Sequence, residues 1–189
     1  MIVLNVGSGG MTQDRLPPCF QFPDWEMMTF DIDPGAKPDY LGSIVDMNTV
    51  PDGSMDAVYG AHVLEHIFEH EVLTALNEFV RIINDTGFVI MRVPDLEPAA
   101  KMIAEGRPCD ALYQTEFKKI RPMDIIYGSS IEISRGKDFM GHRTGFTQWI
   151  LETFMRKADF FWFDVLSHQF DLWVIGGKGS RPEHPIRLK

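Results

Sequence analysis

Short apolar runs separated by turn residues dominate this chain, and only two stretches carry apolar residues at helical spacing. The runs predict seven strands, at residues 2–6, 27–32, 40–45, 55–59, 88–93, 160–166 and 170–175. Between residues 69 and 84 the apolar positions recur at the spacing of a helix, which Asp85-Thr86-Gly87 is expected to close. A second helix is predicted after Thr147, a typical N-cap residue.

The order of these elements indicates an α/β fold. Strands that alternate with helices form a sheet whose strands are mostly parallel. The last two predicted strands are too close in sequence for a helical crossover, so we expect an antiparallel hairpin there. The connection from Glu97 to Phe146 has few periodic signals and many turn residues. Because it leaves the carboxyl end of the fifth strand, where ligands bind, residues 97–146 are predicted to form a substrate lid over strands four and five.

Length and composition narrow the class of protein. A chain of 189 residues with 44 % hydrophobic and 24 % charged residues is expected to form one domain, with residues 178–189 as a solvated tail. The net charge of −9 argues against broad binding of nucleic acid. Cys19 and Cys109 suggest neither a disulfide framework nor a zinc cluster, which indicates a reducing compartment. Without a membrane-length apolar run or a signal-peptide pattern, we expect a cytoplasmic protein that does not interact with a membrane.

Glycines follow the first predicted strand at once, as Gly7-Ser8-Gly9-Gly10. A dinucleotide fingerprint needs a third Gly or Ala where this chain has Thr12. Pro17-Pro18 also interrupts the helix whose N-terminus would hold a pyrophosphate, and no Gly-Lys-Ser/Thr of a P-loop follows. The loop therefore favours a ligand without phosphate, held by backbone groups and one carboxylate.

Asp31 is predicted to be that carboxylate. It lies 24 residues after Gly7, near the spacing expected of an acid at the end of the second strand. A carboxylate accepts two hydrogen bonds at once, and a ribose diol offers two donors. After the third predicted strand, the carboxylate of Asp46 is suited to accept an adenine amino hydrogen, and Met47 to pack on the ring.

The segment HVLEHIFEH concentrates groups capable of acid–base chemistry. If it were one helix, His62, His66 and His70 would share a face at a spacing that can hold a metal. Its start is expected in the turn after the fourth strand instead, with Glu65 supporting the loop, so we predict no metal site. His66 is the best candidate for a general base, because an unperturbed imidazole titrates close to physiological pH.

Four stretches of the chain, taken in order, resemble class I S-adenosylmethionine-dependent methyltransferases. They are LNVGSGG, FDIDP, IVDMNTVPDGSMDAVYGAHVLEHI and RIINDTGFVIMRVPDL. The resemblance is closest to the small bacterial type-11 methyltransferase domains, and the late stretch GHRTGFT…LETFMRKADFFWFDV is also similar to that group. It implies a Rossmann-like, doubly wound sheet of seven strands, mostly parallel with an antiparallel last strand.

The same resemblance implies roles for individual residues. The glycine loop (Gly7, Ser8 and Gly9) would face the methionine part of S-adenosyl-L-methionine. Asp31 would bind the ribose hydroxyls, with Ile32 beside it. Asp46 and Met47 would frame the adenine, and Ala61 and His62 would lie near the sulfonium.

This chain departs from the family pattern at two points. Asn5 stands where the family often has an acid, and a proline-containing loop, residues 11–24, replaces the first helix. Both departures keep open a second reading, a degenerate or non-catalytic S-adenosylmethionine-binding module. A nicotinamide-dependent reductase of the short-chain type is disfavoured, because no tyrosine is followed four residues later by lysine.

The acceptor of the methyl group is expected to be a small molecule. The chain lacks the Asn/Asp-Pro-Pro-Tyr/Phe sequence that is typical of enzymes that methylate amino groups of nucleic acid. Methyl transfer from a sulfonium depends mainly on alignment and exclusion of water, so the absence of an obvious catalytic dyad does not argue against it. Tyr113, Tyr127, His142 and Arg143, within the predicted lid, are the candidate substrate contacts.

Overall fold

The computed structural model describes residues 1–115 and 118–181. In these residues seven strands form one sheet in the order β3-β2-β1-β4-β5-β9-β8. Its strands are β1 (Ile2–Val6), β2 (Glu26–Asp31), β3 (Tyr40–Leu41), β4 (Met55–Ala61), β5 (Ile83–Pro94), β8 (Trp162–His168) and β9 (Asp171–Gly177). The helices are α1 (Glu69–Ile82), α2 (Leu96–Ala104), α3 (Pro122–Tyr127), α4 (Ser130–Ser134) and α5 (Gln148–Lys157). A small hairpin joins β6 (Tyr113–Gln114) to β7 (Lys119–Ile120).

Strand directions confirm the predicted α/β sheet. β1 is parallel to β2 and β4, and β4 is parallel to β5. The last strand, β9, is antiparallel to both of its neighbours, β5 and β8. Because the chain moves from β1 outward to β3 and then returns to β4 on the other side of β1, the strand order reverses at β1. Ligands of open α/β sheets bind beyond the carboxyl ends of the strands at such a point.

Helices α1 and α5 cover one face of the sheet, where the larger hydrophobic core lies. The helical spacing seen in the sequence places Val72, Leu76 and Phe79 of α1 in this core, each fully buried. Leu151 and Met155 of α5 are buried beside them. As predicted, Thr147 caps α5, since its hydroxyl accepts a hydrogen bond from the backbone N–H of Ile150.

The loop between β1 and β2 covers the opposite face, at the place where the resemblance noted above implies a helix. It contains 3₁₀ turns at Gln13–Arg15 and Pro18–Phe20. Phe20 is fully buried, edge-on against Trp25 and stacked on Phe88 of β5, with ring centroids 5.0 and 5.9 Å apart. Aromatic packing therefore replaces the missing helix on this face of the sheet.

Two predicted element boundaries are wrong. Asp85-Thr86-Gly87 does not close α1, because β5 already begins at Ile83, which pairs with Met55 across a shift in register. The side chain of Asn84 stabilises the irregular start of β5, where its Nδ2 donates to Asp56 Oδ1 at 2.8 Å. The third strand is also shorter than predicted, since β3 ends at Leu41.

The connection from residue 97 to 146 is more regular than its sequence pattern indicates. It is preceded by Asp95, whose carboxylate caps α2 by accepting from the backbone N–H of Glu97 at 3.0 Å. Ala99, Ile120 and Ile125 form a small separate core for α2, α3 and the β6–β7 hairpin. Pro98 in the first turn and the shortness of these helices weaken their periodic signal.

The part of the chain that the structure describes has no helix with enough length and apolar character to cross a membrane. The predicted tail at 178–189 lies outside the described residues from position 182 onward. At position 181 the guanidinium of Arg181 pairs with the carboxylate of Asp164 on β8.

Candidate functional site

A cavity of about 310 Å³ opens at the carboxyl ends of β1, β2 and β4. Its wall combines parts of the chain that are far apart in sequence. They are the glycine loop (Gly7 and Gly9), the end of β2 (Asp31, Ile32 and Asp33), the turn after β3 (Gly42, Ser43 and Ile44), the turn after β4 (His62, Val63, His66 and Ile67) and a later stretch (Lys137, Phe139, Met140 and Arg143). This is the edge of the sheet that its topology marks for ligand binding.

The glycine loop lies against the cavity with a backbone conformation that favours glycine. Gly7 and Gly9 have φ angles of +64° and +54°. A Cβ at Gly7 would lie 2.9 Å from a methyl group of Val63, whereas a Cβ at Gly9 would meet no atom within 4 Å. Glycine at position 7 is therefore required by the turn and by close packing. At position 9 it leaves the backbone open to a ligand.

Asp31 lies at the end of β2 and is 7 % exposed. Its Oδ2 accepts a hydrogen bond from the N–H of Gly9 at 2.7 Å, and its Oδ1 accepts from the N–H of Asp33 at 2.8 Å. A carboxylate has about four acceptor positions, so each oxygen of Asp31 keeps one for a ligand. The same side chain thus fixes the glycine loop and faces the cavity.

Asn5 of β1 and Ser8 of the glycine loop are buried and lie outside the cavity wall. Among the described residues, Asn5 Nδ2 and Ser8 Oγ have no hydrogen-bond partner. Buried polar atoms are normally paired, so these two mark a polar region next to the cavity that protein groups do not satisfy.

The residues predicted to frame an adenine ring lie away from the cavity wall. Met47 is fully buried in the core, and its N–H donates to Glu78 Oε2 at 2.8 Å. Asp46 does not line the cavity either, and Ala61 packs against the core on the other face of the sheet. Ser43 and Ile44 occupy this part of the wall instead, because the chain turns directly after β3.

His62 lines the cavity in a strained conformation, with a φ of +55° that is uncommon for a residue other than glycine. Its backbone N–H donates to the carbonyl of Arg92 at 2.7 Å. On the ring, Nε2 accepts from Arg92 Nε at 3.1 Å, and Nδ1 lies 3.3 Å from Glu65 Oε1. His62 therefore connects the cavity wall to a buried carboxylate.

That carboxylate, Glu65, is surrounded by imidazoles. It lies on the 3₁₀ turn Leu64–His66, and its carboxylate and the rings of His66 and His142 place donor atoms within 4.8 Å of one another. Burial acts to raise the pKa of Glu65, but His62, His66 and His142 outweigh it and hold that pKa below its ordinary value. Burial also lowers the pKa of His142, which favours its neutral ring. Since α1 begins only at Glu69, His70 does not join this group, and its ring stacks on Phe68.

Of the four residues predicted to contact the substrate, one lines the cavity and three do not. Arg143 lines the cavity, and its guanidinium lies 4.8 Å from the ring centre of Phe68. His142 belongs to the imidazole group around Glu65. Tyr113 stacks on Phe170 at 4.8 Å and Tyr127 is 63 % exposed, and neither lines the cavity.

The stretch 137–144 connects the predicted lid to the body of the sheet. Lys137 Nζ lies 3.2 Å from Asp33 Oδ2. The N–H of Arg143 donates to the carbonyl of Glu65 at 2.8 Å, and the hydroxyl of Thr144 donates to the carbonyl of Ile67 at 2.7 Å. Lys137, Phe139 and Met140 carried no signal in the sequence, because nothing in their local pattern connects them to the glycine loop.

Residues 5–91, from the glycine loop to the middle of β5, match the family model of the methyltransferase domain. Over these residues, a little less than half of the chain, the sequence is similar to methyltransferase domains, which is consistent with the resemblance to class I enzymes. The match agrees with S-adenosylmethionine as its cofactor, as predicted from the sequence. Among curated proteins, no sequence matches this chain.

Solved structures extend the likeness in fold to nearly all of the chain. The CMeT domain of the citrinin polyketide synthase superposes with a TM-score of 0.62 at 10 % identity, over 96 % of this chain and 47 % of that one. A protein from Pyrococcus horikoshii OT3 gives 0.59 at 12 % identity, over 93 % and 81 %. A SAM-dependent methyltransferase from Aquifex aeolicus gives 0.56 at 14 % identity, over 93 % and 81 %. At these identities the likeness establishes the fold, and the chain spans about half the length of the first of these structures.

Proposed function

We propose that this protein transfers a methyl group from S-adenosylmethionine to a small-molecule acceptor. The observation that carries the proposal is the cavity in which the Asp31 carboxylate and the open backbone of Gly9 face each other. A buried carboxylate with free acceptor positions suits a ribose diol, and an uncrowded glycine backbone suits the amino-acid part of the cofactor. The residues present therefore fit this group.

When bound, the cofactor would be held by Asp31 and the backbone at Gly9 and would supply a methyl group carried on a sulfonium sulfur. An acceptor with an O–H or N–H group would lose its proton as it gains the methyl group. The protein's part is to hold both partners in line and to keep water away. His66 is our candidate to receive the proton. Its Nδ1 lies 3.2 Å from the carbonyl oxygen of Gly141, which can only accept, so Nε2 is left with a lone pair in the neutral ring.

Calorimetric titration tests the cofactor directly. We expect S-adenosylmethionine and S-adenosylhomocysteine to bind with one site per chain. NAD is expected to produce no heat of binding at the same concentrations, because the loop lacks the third glycine and the helix N-terminus that hold a pyrophosphate. Binding of NAD together with no response to either sulfur compound would contradict the proposal.

We further propose that residues 97–146 act as a lid over the bound cofactor and determine which acceptor enters. The contacts of Lys137, Phe139, Met140 and Arg143 with the cavity support this role. Charged side chains such as Arg143 are suited to recognise an anionic group of the acceptor.

Hydrogen exchange followed by mass spectrometry checks the lid without knowledge of the acceptor. Addition of S-adenosylhomocysteine is expected to slow exchange in residues 137–143, because a ligand in the cavity contacts this stretch and opposes its opening. Peptides that cover α5 (Gln148–Lys157), which does not line the cavity, serve as the internal control and should exchange at an unchanged rate. Equal exchange of residues 137–143 with and without ligand would argue against the lid.

A further inference from the structure

We propose that Glu65, His66 and His142 form a binding site for a divalent transition-metal ion beside the cofactor cavity. One carboxylate and two imidazoles come together here from two distant parts of the chain, with all donor atoms within 4.8 Å. Nitrogen and carboxylate oxygen are ligands that zinc and neighbouring first-row ions accept. From the sequence we predicted no metal site, because the segment HVLEHIFEH was expected to start in a turn and no cysteine or outlying acid could be placed beside it.

The two histidines are held as metal-binding histidines usually are. His66 Nδ1 lies 3.2 Å from the carbonyl oxygen of Gly141, and His142 Nδ1 lies 2.7 Å from that of Ile125. A carbonyl oxygen only accepts, so each Nδ1 must carry the hydrogen, and each neutral ring keeps its lone pair on Nε2. A backbone carbonyl on the second ring nitrogen fixes the orientation of a histidine ligand.

The carboxylate of Glu65 is buried without hydrogen-bond partners among the described residues, which also points to a bound cation. Its side chain is 2 % exposed, and within the described part of the chain neither carboxylate oxygen makes a hydrogen bond of acceptable geometry. The ring of His62 lies close by, with its Nδ1 3.3 Å from Glu65 Oε1 while its Nε2 accepts from Arg92 Nε. A buried carboxylate whose oxygens lack hydrogen bonds is costly. A cation held between Glu65 and the two Nε2 atoms would compensate it.

The geometry also indicates how the site would be used. Three protein ligands leave at least one position of a zinc ion open, as in catalytic zinc sites. His66 belongs to the cavity wall as well as to the cluster, so the open position adjoins the cavity. If the proposed function holds, this position suits an acceptor that carries a hydroxyl group, whose pKa the cation would lower. The cation would then replace the free imidazole of His66 as the activating group.

Equilibrium dialysis of the full chain tests the site with metal alone. Protein freed of metal by a chelator is dialysed against zinc chloride, and we expect one zinc ion per chain. Donors around a tetrahedral zinc ion lie roughly 3.4 Å apart, so the side chains must draw together on binding. Magnesium chloride at the same concentration is expected not to bind, since magnesium prefers an octahedral set of oxygen ligands.

Variants identify the ligands. Glu65→Gln and His142→Ala are each expected to weaken zinc binding by at least ~100-fold, because each removes one of three ligands, and loss of a mere supporting group already costs 10–100-fold. His70→Ala is the matched control, since His70 is exposed and lies outside the cluster, and its affinity for zinc should be unchanged. Equal zinc binding by Glu65→Gln, His142→Ala and the unchanged chain would overturn the site.

Thermal unfolding and a cofactor titration distinguish loss of the metal site from misfolding of a variant and from failure of the proposed function. Zinc should raise the midpoint of thermal unfolding of the unchanged chain and of His70→Ala, but not of Glu65→Gln. Titration with S-adenosylhomocysteine on the same samples shows whether the variants are folded at the cavity. Binding of S-adenosylhomocysteine without binding of zinc overturns only the metal site. Binding of zinc without binding of S-adenosylhomocysteine supports the metal site and overturns the proposed function.

Discussion

Replacing Asp31 by alanine is expected to weaken the binding of S-adenosylhomocysteine by at least ~100-fold. The carboxylate keeps two acceptor positions for the ribose hydroxyls, and its other two hold Gly9 and Asp33 in place. Hydrogen bonds to a charged group contribute roughly 1.5–3 kcal/mol each, and about 1.4 kcal/mol corresponds to a factor of ten in affinity. Loss of two such bonds gives the expected factor, which calorimetric titration measures.

Asp39→Ala is the matched control for this experiment. Asp39 is also a carboxylate next to β2, where its Oδ2 accepts from the N–H and the hydroxyl of Thr29, both at 2.8 Å. It lies outside the cavity wall, so its loss is expected to leave the affinity unchanged. A dissociation constant of Asp31→Ala equal to that of Asp39→Ala would show that the cofactor does not contact Asp31.

The parts of the site that could be predicted from the sequence are those set by local structure. A glycine turn after a buried strand and an acid at the end of the next strand lie at fixed distances along the chain. Parallel pairing of β1 with β2 then brings Gly9 within 2.7 Å of Asp31. The register of the two strands was enough to predict this contact, because both residues lie at or just after the end of a strand.

Other parts of the site depend on contacts that no local pattern encodes. The adenine contacts predicted at Asp46 and Met47 assumed a strand to residue 45, whereas β3 ends at Leu41 and the chain turns there. This turn brings Ser43 and Ile44 to the cavity and moves Met47 into the core. Because the edge strand β3 is shorter than predicted, Ser43 and Ile44 line the cavity rather than Asp46 and Met47.

The imidazole cluster around Glu65 also could not be predicted from local sequence, because one of its members is distant along the chain. His66 and Glu65 are neighbours in sequence, so their chemistry was evident. His142 reaches them only because the stretch 141–144 docks on the turn after β4, through the N–H of Arg143 and the hydroxyl of Thr144. The hydrogen bonds that create this contact involve backbone carbonyls, which have no signature in the sequence.

Phe20→Ala is expected to lower the free energy of unfolding by about 3–5 kcal/mol, the range for removal of a buried phenylalanine side chain. The loop of residues 11–24 contains no α-helix that could hold it on the sheet, so its stability depends on the Phe20 ring. Phe20 is fully buried between Trp25 and Phe88. Gln13 also stabilises the loop, since its Nε2 donates to the carbonyls of Phe20 and Trp25 at 3.0 and 2.8 Å.

Urea unfolding of Phe20→Ala and of Phe22→Ala shows whether the stability lost at position 20 comes from burial of the ring or from removal of any phenylalanine in the loop. Phe22 belongs to the same loop but is 62 % exposed, so its removal is expected to change the free energy of unfolding by no more than about 0.5 kcal/mol. Equal effects of the two substitutions would mean that the loop does not contribute to the core. A large effect at position 20 alone would show that the Phe20 ring anchors the loop on the sheet. Since this loop begins at the glycine turn, the same packing would then hold Gly7 and Gly9 at the cavity, and the loss of the helix would not by itself imply a degenerate cofactor site.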